Sequence, residues 1–197
     1  MPDKKAARRE SILDTALELI LENGYSNTRI IDIADRAGIG KGTVYEYFES
    51  KQKLLLDLIN TRVRQDYTSV CEAMEKAPTC RQKLTDYFRL EIEATAKYKS
   101  NMADFGNEFM NDKTEISMEI VQAVHSIMEM QFEYLQNVIR CGIQTGEFND
   151  VEPRAAAACL MGSISFFLHM AAIGTPCSED SFLDCIFNGL LAGTRRL

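Results

Sequence analysis

The residues best suited to do chemistry lie between positions 26 and 51, where hydroxyl, ammonium and guanidinium donors surround a glycine-rich stretch. Such donors bind the phosphate oxygens of DNA, which fix a protein's register on the duplex. Glycine in the same stretch lets a helix approach the base edges closely. The candidate DNA contacts are Thr28, Arg29, Lys41, Gly42, Thr43, Tyr45, Tyr47 and Lys51.

Two short helices joined by a Gly-containing turn are needed to position these donors, and that pattern is typical of a helix-turn-helix. Thr28 is expected to cap the first of the two helices. After the turn at 38–40, the second helix should run from Lys41 to about Phe48. Val44 and Phe48 are four residues apart and should take its buried face, so Gly42 and Thr43 point outward.

Glu46 should also lie on the outward face of this recognition helix. A carboxylate there is repelled by phosphates, but it can accept a hydrogen bond from a cytosine amino group. It can equally point away into solvent, and both alternatives stay open. A nucleotide-binding phosphate loop is excluded, because no strand precedes the glycines and neither glycine-rich motif is satisfied.

The stretch at 38–51 reads GIGKGTVYEYFESK and resembles the signature of TetR-type repressors. The preceding residues 28–34 are similar to the second helix of that family. Position by position, the resemblance implies phosphate contacts from Thr28, Lys41, Tyr45, Tyr47 and Lys51, with base-edge contacts around Gly42 and Thr43. It also implies a homodimer that binds a palindromic, double-stranded operator and releases it when a small effector binds.

Apolar residues recur at three- and four-residue steps almost throughout, which predicts an all-α protein of about nine helices. Residues 1–50 are expected to form a three-helix DNA-binding domain, and 51–197 a larger helical domain for effector binding and dimerisation. Gly24 should end the first helix, and Ser50 should cap a long fourth helix that runs toward Lys76. Further helix starts are expected near Thr79, Asp112, Pro153 and Ser178.

Composition excludes several classes of protein. The net charge of −7 counts against a generally basic surface, so any DNA contact must be local. The two histidines lie on apolar helix faces and no catalytic arrangement can be assembled, so we expect no enzyme, metal or cofactor. Asp14 and Glu18 interrupt a would-be signal sequence, which favours the cytoplasm.

The charge-free run at 155–173 is long enough to cross a bilayer. Its alanines, glycine, serines and histidine make it weakly apolar, so we expect a helix buried in a soluble assembly and no membrane contact. Small residues at 155–158, Gly162 and Ser163 permit close helix packing, and a second apolar face follows at 182–191. Both faces are candidates for the dimer interface, with completion of one subunit's core as the alternative.

Large, adaptable side chains are concentrated between positions 67 and 132 and can line an apolar pocket for a small hydrophobic effector. Glu91 and His125 are its candidate polar groups. A Met and aromatic stripe is also typical of an ordinary core, so both interpretations stay open. The candidate pocket residues are Met74, Tyr87, Phe88, Glu91, Phe105, Phe109, Met118, His125, Met128 and Phe132.

The resulting hypothesis is that an effector in this pocket shifts the helix at 51–76 and so lowers operator affinity. Thermodynamic linkage then requires the operator to weaken effector binding by the same factor. Two alternatives remain: a small-molecule-binding protein without operator binding, and a thiol-responsive regulator that uses some of the six cysteines. No CxxC pair supports a metal site among these cysteines.

Overall fold

The computed structural model describes residues 4–97, 109, 112–172, 174 and 178–190. Every regular element in this part of the chain is helical, and no strand occurs in it. The all-α prediction is therefore confirmed. Phe105 and Cys177, together with the other residues outside these ranges, are not described further.

The described residues divide into two compact units. The first unit draws on Met1–Thr68 and Lys97–Ile127, and the second unit on Ser69–Ala96 and Met128–Leu197. Leu54 and Leu58 are buried in the same apolar cluster as the three N-terminal helices. The domain boundary expected at residue 50 stays a prediction.

The first unit begins with four helices whose ends follow local signals. Gly24, at φ +85°, ends the first of them, as expected from its tolerance of the left-handed region. The Ser50 hydroxyl accepts a hydrogen bond from the Lys53 backbone N–H at 3.0 Å, which confirms the predicted cap. The helices are α1 Lys4–Asn23, α2 Ile30–Arg36, α3 Lys41–Tyr47 and α4 Lys51–Leu58.

The long fourth helix of the prediction is interrupted. A π-helical turn at Ile59–Val63 follows α4, and α5 (Arg64–Met74) continues from it. A π-turn widens the backbone by one residue and is often found at functional sites. Within the first unit, Arg62 of this turn forms an ion pair with Asp14 of α1 at 2.6 Å.

The second unit is built around α6 (Cys80–Lys97), the second half of α7 (Glu115–Gln144), α8 (Pro153–Ala172) and α9 (Glu179–Cys185). The Thr79 and Ser178 hydroxyls accept from backbone N–H groups three residues later, as predicted. Pro153 opens α8 as expected. The cap of α8 was not predicted: the Glu152 carboxylate accepts from the next backbone amides, at 2.6–2.9 Å.

One face of α8 is buried in the core of the second unit through Ala157, Leu160, Ile164 and Phe167. By length and composition, α8 is also the one helix of the described chain that could cross a membrane. Its buried face packs against α6, where the Phe167 ring lies 5.1 Å from that of Phe88. The opposite face is exposed in the single chain, and Phe166 has 64% of its surface accessible there.

Candidate nucleic-acid interface and effector core

The turn between α2 and α3 depends on Gly38. Its φ of +65° is a conformation that L side chains rarely adopt. The backbone N–H of Ile39 then donates to the Ala34 carbonyl at 3.0 Å, which closes the end of α2. Gly40 is extended and precedes the first residue of α3. The predicted helix-turn-helix is therefore formed by residues 30–47.

The two faces of α3 differ as the helical period predicts. Val44 is fully buried and Phe48, just after the helix, is 2% exposed, so both anchor α3 to the core of the first unit. The opposite face is accessible at Lys41, Gly42 and Tyr45. Glu46 is also exposed, whereas Thr43 and Tyr47 are half-buried at the edges.

Gly42 is the part of this surface where the backbone itself is open. A Cβ added at this position would meet no atom within 4 Å. Glycine is therefore not required here by the fold of the single chain. Its absence of a side chain instead leaves the first turn of α3 free to approach another molecule closely.

Two lysines of the predicted set lie over tyrosine rings. The Lys41 ammonium is 5.7 Å from the centroid of Tyr45, and that of Lys51 is 4.0 Å from the centroid of Tyr25. Lys51 also donates to the Ser26 carbonyl at 3.5 Å. These cation–π contacts hold each charge close to the surface of the first unit. Tyr25 is a positioning residue that the sequence pattern did not indicate.

Thr28 does not have the role predicted for it as a helix cap. The residue before α2 is Arg29, and Thr28 is only 1% exposed. Its hydroxyl donates toward the carbonyls of Gly24 and Leu19, at 2.7 and 3.2 Å. Thr28 therefore ties the end of α1 to the start of α2, and in the single chain its side chain is shielded from phosphate.

Arg29 lies at the exposed start of α2 as predicted, but it is already paired. Its guanidinium donates to the Asp32 carboxylate at 2.7 and 3.0 Å, and its backbone N–H donates there as well. These bonds, first of all the guanidinium, lower the pKa of Asp32 to about 2. A phosphate contact from Arg29 therefore has to share the guanidinium with Asp32.

The predicted effector residues are divided between the two units. In the second unit, Met74, Tyr87 and Phe88 are buried in the core and Phe132 packs against them, whereas Met128 is 50% exposed. In the first unit, Phe109 is buried with its ring 5.1 Å from that of Tyr25. Met118 and His125 are exposed in the single chain. The structure thus brings together only part of the predicted set.

Glu91 is the polar member of the second-unit group. Gln131 donates to its carboxylate at 3.4 Å, and the Tyr87 hydroxyl is also hydrogen-bonded to it. Burial raises the pKa of Glu91 despite the bond from Tyr87. Burial likewise raises the pKa of Tyr87, and the nearby Glu91 charge adds to that effect.

The core of the second unit is aromatic and nearly full. The Phe88 ring stacks on Phe182 at 4.7 Å and meets the edge of Phe167 at 5.1 Å. The space left among these helices is about 10 Å³, which is no more than one water molecule needs. Its walls are apolar except for the Tyr87 hydroxyl: Leu84, Tyr87, Phe88, Leu135, Leu160, Ile164, Phe182, Leu183, Ile186 and Phe187.

Among the described residues, no group of His, Cys, Asp and Glu side chains could hold a metal ion. The charged side chains of the first unit form ion pairs across its surface, such as Arg36 with Glu22 at 2.9 Å and Arg9 with Asp57 at 2.6 Å. The described residues therefore contain two candidate sites, the exposed face of α3 and the apolar core of the second unit.

Comparison with known proteins agrees with this architecture. Residues 12–58 match the family of bacterial regulatory proteins, tetR family, and residues 81–182 match the tetracyclin repressor-like C-terminal domain. The fatty acid metabolism regulator protein of Bacillus subtilis is 28% identical over 165 residues, which cover 82% of this chain and 81% of that protein.

Solved structures show the same fold. The regulator FadR from Bacillus subtilis in complex with stearoyl-CoA aligns with a TM-score of 0.63 and 23% identity, over 91% of this chain and 98% of that chain. A regulator from Saccharomonospora viridis in complex with choline aligns at 0.75 and 22% identity, over 92% and 94%. With both domains matched, this chain belongs to the tetR family and is a ligand-responsive, DNA-binding transcriptional regulator.

Proposed function

We propose that this protein is a cytoplasmic, homodimeric repressor that binds a palindromic operator through α3 and is released by a long-chain acyl-CoA. It acts by binding alone, without catalysis. We assign a long-chain acyl effector because the lining of the second-unit core is almost entirely apolar. The relative that regulates fatty acid metabolism and the structure with stearoyl-CoA support the same class.

The DNA part of the proposal rests on the exposed face of α3. Lys41 and the Tyr45 hydroxyl are accessible there and can bind phosphate oxygens on one side of the groove. Tyr47 is the last residue of α3 and Lys51 is the first residue of α4. Both can bind the DNA backbone on the other side of the groove. Gly42 and Thr43, in the first turn of α3, are the residues placed to meet base edges.

The effector part follows from the chemistry of the closed core. A ligand can enter only by displacing side chains such as Phe182 and Leu183, since about 10 Å³ is free. An alkyl chain replaces the apolar contacts that are lost, whereas a charged group would leave its charge unpaired among hydrocarbon. The helical segment from α4 to α5 is continuous in the chain and connects this unit with the DNA-binding unit.

The dimer part rests on the exposed face of α8. Cys159, Gly162, Phe166 and Met170 follow one another at helical spacing and line a groove of about 650 Å³. A Cβ at Gly162 would meet nothing within 4 Å, so a second helix can approach closely there. A two-fold pairing of this face would bury Phe166. The Phe166→Asp variant should then sediment as a monomer, and an unchanged dimer would contradict this interface.

The experiment begins with selection of an operator from random duplexes by the wild-type protein. Release of the labelled operator is then followed by fluorescence anisotropy during titration with stearoyl-CoA, with coenzyme A alone and with choline. We expect release by stearoyl-CoA only. Direct titration should show the operator weakening stearoyl-CoA binding by the same factor. Release by choline, or no release by any of them, would refute the acyl-CoA assignment.

A matched pair of variants locates the site. Leu183 lines the core space, whereas Leu168 packs against the same core without lining that space. Leu183→Phe should weaken release by stearoyl-CoA and leave operator affinity unchanged. Leu168→Phe should behave like the wild type in both assays. Equal effects of the two variants would show that the effector binds elsewhere.

A small-molecule-binding protein without operator binding remains the competing function. It would need the second-unit core but not the Lys41 and Tyr45 surface. The double variant Lys41→Ala with Tyr45→Phe should weaken binding to all duplexes and flatten the dependence of affinity on salt concentration. If the selection enriches no sequence, the competing function is favoured.

A further inference from the structure

Two cysteines from distant parts of the chain meet in the second unit. Cys80 is the first residue of α6 and Cys141 lies in the last turn of α7. Both lie beside the turn that follows α7, because the Cys80 N–H and the Thr145 hydroxyl donate to the Glu147 carboxylate at 3.1 and 3.3 Å. The Thr145 N–H in turn donates to the Cys141 carbonyl at 2.9 Å. Cys80 is 3% exposed and Cys141 is exposed, so one thiol faces the core and the other faces solvent.

The meeting point is held by backbone contacts that do not depend on the thiols. The Glu147 carboxylate accepts hydrogen bonds from the backbone N–H groups of Cys80 and Arg81, both at 3.1 Å. On the α7 side, the Phe148 N–H donates to the Gly142 carbonyl at 3.0 Å, and the Phe148 ring covers that glycine. The start of α6 and the end of α7 are thereby fixed together.

Charged groups around the pair suit thiol chemistry. The Lys83 ammonium, which is paired with Glu75, also lies near enough to act on both sulfurs, and a cation stabilises negative charge that develops on sulfur. Burial, with Cys141 and Glu147 adding to it, raises the pKa of Cys80 to about 12, so Cys80 stays protonated until its partner reacts.

We propose that Cys80 and Cys141 form a reversible disulfide when the protein meets a hydroperoxide. The exposed Cys141 thiol attacks the peroxide, its sulfur is oxidised to a sulfenic acid, and the peroxide leaves as water or an alcohol. Cys80 then attacks that sulfur, and hydroxide leaves. The proton of Cys80 passes through Glu147 to the departing hydroxide, which yields water. A dithiol reductant reverses the bond by thiol–disulfide exchange.

The bond would restrain the core proposed to take the effector, and this consequence rests on the proposed function. Leu84 and Tyr87 of α6, with Leu135 of α7, surround that core. Tying the start of α6 to the end of α7 stabilises the closed arrangement against the opening that a ligand needs. The oxidised protein should therefore require a higher stearoyl-CoA concentration to release the operator than the reduced protein does.

The test uses the reduced full-length protein, treated with hydrogen peroxide, denatured in an alkylating agent and digested. Mass spectrometry should find the peptides of Cys80 and Cys141 joined, with the joined form lost after dithiothreitol. The melting temperature of the oxidised protein should rise by several degrees. Cys141→Ser should abolish both effects, while Cys185→Ser, which changes another exposed cysteine, should abolish neither.

Cys80 is buried, so Cys80→Ser can fail to fold, and Cys80→Ala serves as the second variant because it leaves no polar group unpaired. It should trap Cys141 as a sulfenic acid that a dimedone reagent labels. Absence of the joined peptides in the wild type, or their persistence in Cys141→Ser, would overturn the disulfide. If the peptides join but stearoyl-CoA releases neither form, the disulfide stands and the acyl-CoA assignment fails.

Discussion

Gly42→Ala separates the needs of the fold from the needs of DNA recognition at the same position. The added methyl group meets nothing within 4 Å in the single chain. Alanine is favoured over glycine in a helix by up to about 1 kcal/mol, so the free energy of unfolding should stay the same or rise. On the operator, the methyl group would fill the space through which α3 approaches the base edges. We expect a loss of about tenfold or more in operator affinity, equivalent to about 1.4 kcal/mol.

Two measurements on the same variant test this reasoning. Urea denaturation followed by circular dichroism gives the stability, and anisotropy with the selected operator and with a random duplex gives the affinities. Binding to the random duplex depends mainly on phosphate contacts and should be largely retained. A variant with intact stability and unchanged operator affinity would show that Gly42 does not face the bases.

The remaining predictions concern stability. Gly142→Ala should cost about 1–3 kcal/mol, because its Cβ would lie 2.1 Å from the buried ring of Phe148, and Gly42→Ala is its matched control in urea denaturation. Ser50→Ala should cost about 1 kcal/mol by removing the acceptor at the start of α4, and an unchanged urea midpoint would contradict that cap. Because burial raises the pKa of Glu91, its native carboxyl holds a proton more tightly than the unfolded chain does, so stability should fall as pH rises from about 4.5 through the native pKa. Glu91→Gln should remove that fall, and a variant with the wild-type pH profile of urea midpoints would contradict it.

Local signals predicted the helix-turn-helix because its geometry is decided within a few residues. Gly38 allows the left-handed turn, Ser50 supplies an acceptor for the next helix, and Val44 shows which face of α3 is buried. The same reasoning placed Pro153 at the start of α8. Each depends on the conformational preference of one residue or on the period of a short helix, which tertiary contacts did not override.

Thr28 shows where local reasoning stopped. A threonine before an apolar helix is typical of a cap, but packing of α1 against α2 buries its hydroxyl at two carbonyls. Likewise, the apolar stripe of α7 predicted one pocket face, yet Met118 and Met128 are exposed in the single chain. The period of a helix identifies its apolar side but not the element that covers each part of it.

The sequence by itself therefore determined the family, the helical fold and the exposed face of α3, because these depend on short-range patterns. Only the tertiary structure decided that the proposed effector core is closed, that Glu91 is buried beside Tyr87, and that Cys80 at the start of α6 is bonded to the turn that follows α7. Contacts between residues far apart in the chain leave no periodic signal. They exist because separate helices pack together, and the packing, not the spacing, brings the groups within reach.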